Sequence, residues 1–497
     1  MNKYYIGYDI GSSFIKVALV DASTGKSLAI SSIPEKEMDI LCLKEGWAEQ
    51  DPDLWWDYVC EATKHVINNS NVLGDQIIGI GIAYQMHGLV VVDEHGNSLR
   101  NAIIWCDSRA VEIGARAYND LGKDYCDTHL LNSPANFTAS KLKWVKENEP
   151  ETFQKVSKYM LPGDYIAYKL TGKITTTKNG LSEGILWDYK NDSVPTGLLD
   201  HFGIPSALTP EIVDNFTHQG AVSATAAAIT GIPVGTPVTY RSGDQPNNAL
   251  SLNVFKRGEI AATGGTSGVL YAVSDIDDIK ETSRINNFLH VSTDKKAAQI
   301  GKLLCINGTG IQYRWLKNLT GSTSYDEMNR KASAIPVGSE GVLVIPFGNG
   351  AERMLENINM KSHISNLNFN IHNEGHLYRA ALEGIAFSFV YGMNILKKDG
   401  AAIKVIRAGN DNLFQSELFS TTLATLIGQE IEIYETTGAV GAARACVLFQ
   451  DGLEQFAAFV KDNDYVKTYK PLSDKTAYEK AYKCWEAELN NQLKARE

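Results

Sequence analysis

At 497 residues the chain is too long for one ordinary core, so two large domains are the natural expectation. Its 44% hydrophobic and 21% charged residues describe a globular protein. A net charge of -11 argues against a nucleic-acid partner, because a nucleic-acid surface needs clustered Lys and Arg. Phosphorylated small molecules stay open, since backbone amides and a metal ion can hold phosphate locally. The chain begins with Tyr4-Tyr5-Ile6-Gly7-Tyr8, strand-like in its aromatic and β-branched content. The turn Gly11-Ser12-Ser13 leads into a second strand through Leu19, and Ala22-Ser23-Thr24-Gly25 into a third, Ser27 to Ile33. Such a hairpin implies a larger sheet. Asp51 to Asn68 reads as a helix, with Pro52 in its first turn and Leu54, Tyr58 and Ala62 at helical spacing. A buried strand, Ile77 to Ala83, runs into Gln85-Met86-His87-Gly88. Val90-Val91-Val92 and the turn Asp93-Glu94-His95-Gly96 follow.

Strands and helices go on alternating to Pro237, which predicts an α/β fold. In the second half, His376 to Lys398 places Leu377, Ala381, Ile385, Phe389 and Leu396 on one helix face, closed by Gly400. Asp411 reads as the N-cap of a helix from Asn412 to Ile427, ended by Gly428. From Asp474 the tail reads as a polar helix. The seven cysteines (Cys42, Cys60, Cys106, Cys126, Cys305, Cys446, Cys484) are scattered and form no CxxC. Neither a zinc site nor a disulfide framework is expected, and the pattern suits a reducing cytoplasm. No signal-type apolar stretch precedes Asp9, and no run approaches the roughly 18 apolar residues of a membrane span. A soluble cytoplasmic protein without a membrane partner is therefore expected, with a homodimer as the default assembly.

The sequence carries an internal repeat. Asp9-Ile10-Gly11-Ser12-Ser13-Phe14-Ile15-Lys16-Val17-Ala18-Leu19-Val20-Asp21 aligns without gaps with Thr263-Gly264-Gly265-Thr266-Ser267-Gly268-Val269-Leu270-Tyr271-Ala272-Val273-Ser274-Asp275. Between the copies lies Tyr240-Arg241-Ser242-Gly243-Asp244-Gln245-Pro246-Asn247-Asn248. Two similar halves with a carboxylate at their junction suggest a cleft enzyme with Asp244 as its reactive group. By itself a Gly-Asp pair is more often an ordinary turn, and the bracketing repeat is what favours chemistry. Asp9, ending a strand before Gly11 and two hydroxyls, can place a hydrated Mg²⁺ beside a phosphate, with Lys16 adding positive charge. The second copy offers Gly265, Thr266 and Ser267 for the same task.

Ordered along the chain, these motifs resemble the FGGY family of carbohydrate kinases, and within it the xylulokinase branch. The similarity runs from the first strand to at least Gly441. Trp47-Ala48-Glu49-Gln50-Asp51-Pro52-Asp53-Leu54-Trp55-Trp56 is close to that branch's WSEQDPxxWW, and Gln85-Met86-His87-Gly88 resembles its GQMHG loop. Phe137-Thr138-Ala139-Ser140-Lys141-Leu142-Lys143-Trp144-Val145 is near the first family signature. His376-Leu377-Tyr378-Arg379-Ala380-Ala381-Leu382-Glu383-Gly384 matches the end of the second. The resemblance implies two duplicated actin/hexokinase-like, ribonuclease H-like domains with a deep cleft, residues 1–250 for sugar and catalysis and 251–497 for nucleotide. It implies ATP and Mg²⁺, with Asp244 as general base and Asp9 at the metal. It further implies sugar contacts from Met86, His87, Trp105, Asp107 and Gln245, and ATP contacts from Gly11, Ser12, Ser13, Lys16, Gly265, Thr266, Ser267, Gly409 and Asn410. The alternative for Asp107 is a solvated surface pair with Arg109, and Trp55 and Trp56 read as core or domain-packing residues.

Three stretches depart from the branch. Gly243-Asp244-Gln245 replaces its Gly-Asp-Asn and resembles glycerol kinases. Ala408-Gly409-Asn410-Asp411 keeps a single Gly of a GGGA-type nucleotide loop, and Pro346-Phe347-Gly348-Asn349-Gly350-Ala351-Glu352-Arg353 is one residue longer than the family's PYLSGER. Thr437-Gly438-Ala439-Val440-Gly441 is family-like and is expected to begin a helix. The expected reaction is ATP-dependent phosphorylation of D-xylulose. Alternatives are ribulose, L-xylulose or glycerol as substrate, or a sugar-binding regulator that has lost turnover.

Overall fold

The computed structural model describes residues 2–70, 72–293, 298–450 and 452–496. It forms two units: Met1–Asn253 with Phe288–Lys295 and Thr436–Asp464, and Val254–Asn287 with Lys296–Glu435 and Tyr465–Glu497. Both the expected boundary at 250/251 and this division break the chain near residue 253. The structure differs by returning two later segments to the first unit.

In the first unit, β1 (Tyr4–Ile10), β2 (Ile15–Asp21), β3 (Ser27–Ile33), β4 (Ile77–Tyr84) and β5 (Val238–Gly243) form one sheet in the order β5-β4-β1-β2-β3. β1, β4 and β5 are parallel, and β2 and β3 are antiparallel to their neighbours. Every residue of β1 except Asp9 is buried, as expected of a strand covered on both faces. One cover is the helix Pro52–Ser70, which lays Trp55, Val59, Ala62 and Val66 on β2 and β3. Another is the helix Gly438–Ala445, capped by Thr437, whose side chain accepts from the Val440 amide. This second contact is made of backbone. A Cβ on Gly7 would lie 2.1 Å from the Ala439 carbonyl oxygen, and one on Gly81 1.9 Å from that of Ala442. Gly81→Ala therefore has to push helix and sheet apart. We expect a destabilisation of about 1–3 kcal/mol or more, read as a lowered denaturant midpoint. An unshifted midpoint would show that the contact yields freely.

In the second unit, β6 (Glu259–Gly264), β7 (Gly268–Asp275), β8 (Gln299–Ile306), β9 (Val405–Gly409), β10 (Ile431–Tyr434) and β11 (Tyr465–Tyr469) are neighbours in the order β8-β7-β6-β9-β10-β11. β6, β9 and β10 are parallel, and β7, β8 and β11 are antiparallel to their neighbours. Strands β10-β9-β6-β7-β8 thus repeat the order and directions of β5-β4-β1-β2-β3, so the sequence repeat is a duplicated fold. The two hairpins close differently. Ile10 pairs with Ile15, whereas Gly264 pairs with Gly268, so the second turn is one residue tighter although the sequences align without gaps.

The helix Glu374–Lys398 forms as expected and ends at Gly400 with φ 91°. The next one is a correction. Asn412–Gln415 is a single 3₁₀ turn, and the α-helix is Glu417–Ile427 with the Ser416 hydroxyl accepting from the Phe419 amide. Gly428 closes it in the left-handed conformation. The tail helix, Thr476–Lys494, is polar outside and buries Ala481, Trp485 and Leu489. Among the described residues, no helix is long and apolar enough to cross a membrane.

Candidate active site

Parallel strands aim their C-terminal ends at one edge of a sheet, and ligand sites form there. In the first unit that edge gathers the sequence's main candidates. Ile10 pairs with Tyr84 and Gly243 pairs with Tyr84, so the three strands stop level with one another. Asp9 lies next to the end of β1, Gln85-Met86-His87 follow β4, and Asp244 follows β5 as the first residue of the helix Asp244–Ser251. With strands about 4.8 Å apart, Asp9 and Asp244 face each other across one intervening strand.

Their environments are matched. Asp9 sits opposite Lys16 in the β1–β2 register. Burial raises its carboxyl's pKa, and the Lys16 charge opposes that rise. A Cβ on Gly438 would lie 2.6 Å from Asp9 Oδ2, so only the absence of a side chain lets the helix Gly438–Ala445 begin there. Asn247 fixes that junction by donating from Nδ2 to the Gly438 carbonyl at 3.0 Å. Asp244 is raised to about 7, first by burial and then by the negative Asp9, with Gln245 hydrogen bonds opposing. Gln245 thus sits beside Asp244.

The Met86-His87 loop is tightly held. Met86 is buried, and His87 adopts φ 61°, unusual for a residue with a side chain. The His87 Nδ1–H donates to the Glu183 carbonyl at 2.9 Å, and its ring packs against Phe137 and Phe288 at 4.7 and 5.4 Å. Trp105 is 54% exposed, and its indole N–H donates to Ser12 Oγ at 3.2 Å. The first hydroxyl turn therefore touches the Trp105 segment. Gln50 braces that turn from below, donating to the Ser12 carbonyl at 2.7 Å. Gly11 makes the turn itself, its amide donating to the Phe14 carbonyl at 3.1 Å, and the Ser13 carbonyl accepts from the Met38 amide.

Asp107 is a correction. Expected to face the sugar, it is completely buried. Its Oδ2 accepts from the Ala48 amide and both oxygens accept from Arg109 Nε. Arg109 in turn lies 3.9 Å over the Trp47 ring and ion-pairs with Glu49 at 2.7 Å. Trp105-x-Asp107-x-Arg109 and Trp47-x-Glu49-Gln50 are two halves of one buried scaffold. From it, Trp105 and Gln50 reach the site.

Sequence reasoning missed Glu183. A Cβ on Gly243 would lie 2.3 Å from Glu183 Oε2 and 2.5 Å from Met86 Cγ, so this carboxyl is packed behind both. It is 1% exposed, and burial followed by the charge of Asp244 raises its pKa well above the usual carboxylate range. The Tyr84 phenol lies against it, yet neither Tyr84 Oη nor Glu183 Oε1 makes a hydrogen bond of good geometry. The signal for it was a charge within the apolar run Leu181 to Trp187.

In the second unit the turn Gly265-Thr266-Ser267 meets the helix Gly310–Thr320. The Gly310 and Ile311 amides donate to the Gly265 and Thr266 carbonyls at 3.1 Å each, and the Thr309 hydroxyl bonds both carbonyls at 3.2 Å. Glu352, of the stretch likened to PYLSGER, clamps the loop before Thr309 by accepting from the Asn307 and Gly308 amides at 2.9 Å each. Beside the turn opens a cavity of about 260 Å³, lined by Gly265, Thr266, Tyr313, Asp326, Asn329, Asn412, Gln415 and Ser416 among others. That is slightly below the usual range for small-molecule sites. Gly409 and Asn410 do not line it; Asn410 Nδ2 donates to Glu435 and its carbonyl accepts from Gln415. The residues just after them, Asn412 to Ser416, supply that wall instead. Ser267 bonds toward the Asn307 carbonyl at 3.5 Å.

Residues 4–251 match the N-terminal domain, and residues 260–448 the C-terminal domain, of the FGGY family of carbohydrate kinases, and the chain belongs to that family. It is 28% identical over 491 residues to the xylulose kinase of Bacillus subtilis (strain 168), covering 95% of each. It is 27% identical over 497 residues to the L-xylulose/3-keto-L-gulonate kinase of Escherichia coli (strain K12), covering 97% of this chain and 96% of that protein. The crystal structure of xylulose kinase from Rhodospirillum rubrum has the same fold, with a TM-score of 0.88 at 23% identity over 98% of this chain and 99% of that one. The enzyme is an ATP-dependent sugar kinase.

Proposed function

We propose that the enzyme transfers the γ-phosphoryl group of ATP to D-xylulose in the cytoplasm, giving D-xylulose 5-phosphate, with Asp244 as general base. The supporting observation is a carboxylate raised to about 7 at the end of β5, on the same sheet edge as Met86 and His87. Asp244 takes the proton of the C5 hydroxyl as its oxygen bonds to the γ-phosphorus, and the bond from that phosphorus to the bridging oxygen breaks to release ADP. A base with a pKa near the working pH is well matched to this task. Met86, His87 and Trp105 hold the sugar. Gly11-Ser12-Ser13 with Lys16 in the first unit, and Gly265-Thr266-Ser267 in the second, each offer hydroxyls and backbone N–H groups suited to phosphate.

Two carboxylates raised by burial, with one lysine opposite, form a donor set that fits a hydrated divalent cation. Asp9 would hold Mg²⁺ through water, and bound Mg²⁺ neutralises phosphate charge. Purified enzyme with ATP, Mg²⁺ and a panel of ketoses, polyols and aldoses should release ADP fastest with D-xylulose. A faster rate with glycerol or ribulose would reassign the substrate. Saturable sugar binding without ADP release would make the chain a regulator.

A further inference from the structure

The helix Thr138–Asn148 carries Lys141, which is wholly buried. Its ammonium donates to two main-chain carbonyls, those of His87 at 2.8 Å and Ile104 at 2.9 Å. These carbonyls belong to two separate segments. One segment is the His87 turn, in the left-handed conformation. The other leads directly into Trp105, whose indole reaches Ser12. A buried ammonium is costly, and here its hydrogen bonds go to two carbonyls while the nearby Asp107 charge partly offsets its burial.

We propose that Lys141 is a positioning residue for sugar binding, a strut that fixes the spacing between His87 and Trp105 and holds His87 in its left-handed conformation. The proposal rests on the kinase reading. The fold does not depend on the strut, because the two segments are already paired beyond it. Leu89 and Ile103 exchange both backbone hydrogen bonds, at 2.9 and 3.1 Å. What Lys141 adds lies on the ligand side of that pair. The charge is not required either. Burial lowers the amine to about 7, and a neutral amine still has two N–H groups for two carbonyls. His87's ring is tied separately through Glu183, so losing the strut frees the backbone while the ring stays anchored.

Two variants test this. Lys141→Met keeps the stem and removes the donors, while Lys141→Gln keeps two N–H groups at shorter reach. With D-xylulose and ATP varied independently, the Met variant should raise the sugar KM roughly tenfold or more, with the ATP KM within about twofold. The Gln variant should recover part of the loss. If the Met variant does not fold, the Gln variant decides alone by the same split between the two KM values. Equal shifts in both KM values, or a fall in kcat and melting temperature with the sugar KM unchanged, would make Lys141 purely structural and overturn the strut. A wild-type enzyme inert with every sugar would overturn the kinase reading and the strut together, whereas an active wild type with equal shifts overturns the strut alone.

Discussion

Asp244→Asn should lose about 10²–10⁴-fold in kcat while still binding sugar. The substitution keeps the side-chain volume and the start of the helix Asp244–Ser251, and removes only the proton acceptor. The pH profile gives a second check. A general base works in its ionised form, and the Asp244 carboxyl is raised to about 7, so with Asp244 in that proposed role the rate should rise as pH climbs through that value and fall below it. A bound cation near Asp9 would draw the limb lower. The Asn variant should lose this acid limb along with its rate. Wild-type turnover in the Asn variant would reduce Asp244 to a turn residue.

Asp9→Asn should raise the Mg²⁺ concentration for half-maximal rate about 10–100-fold, the usual effect of losing a group that holds a metal through its water. Sugar affinity should change little, because Met86, His87 and Trp105 are untouched. The change also removes the negative charge that helps raise Asp244, so any residual activity should show its acid limb at lower pH. An unaltered Mg²⁺ titration would remove Asp9 from the metal site.

The strands and both hydroxyl turns were legible because their signals are local: alternating apolar residues, Gly with Ser or Thr, and a repeat that marks equivalent positions. The places of Asp9 and Asp244 in the fold were legible for the same reason, each ending or following a strand. The role of Asp107 was not. The Ala48 amide that consumes its carboxylate lies 59 positions away, and no spacing rule reaches that far. Glu183 was hidden likewise, since it meets Met86 and Gly243 only through the fold. The misplaced helix start came from competition between two good caps. Asp411 heads a short 3₁₀ turn without a side-chain cap bond, while Ser416 makes one to Phe419 and takes the helix. The one-residue difference between the two hairpin turns was invisible because the aligned residues match without a gap.

The return of Thr436–Asp464 to the first unit has a consequence for biosynthesis. A ribosome releases β1, β4 and β5 early, and their glycine-lined face then waits for the helix Gly438–Ala445, made almost two hundred residues after Asp244. Until that helix emerges, Gly7 and Gly81 have no backbone against them, and Asp9 lacks the neighbour that crowds its carboxylate. The first unit is thus the earlier to begin folding but cannot be finished before the chain reaches Asp464. A nascent chain halted after Glu435 would carry both hydroxyl turns and every strand described above except β11, yet the edge that holds Asp9 and Asp244 would stay open, and holdase chaperones would be expected to bind there.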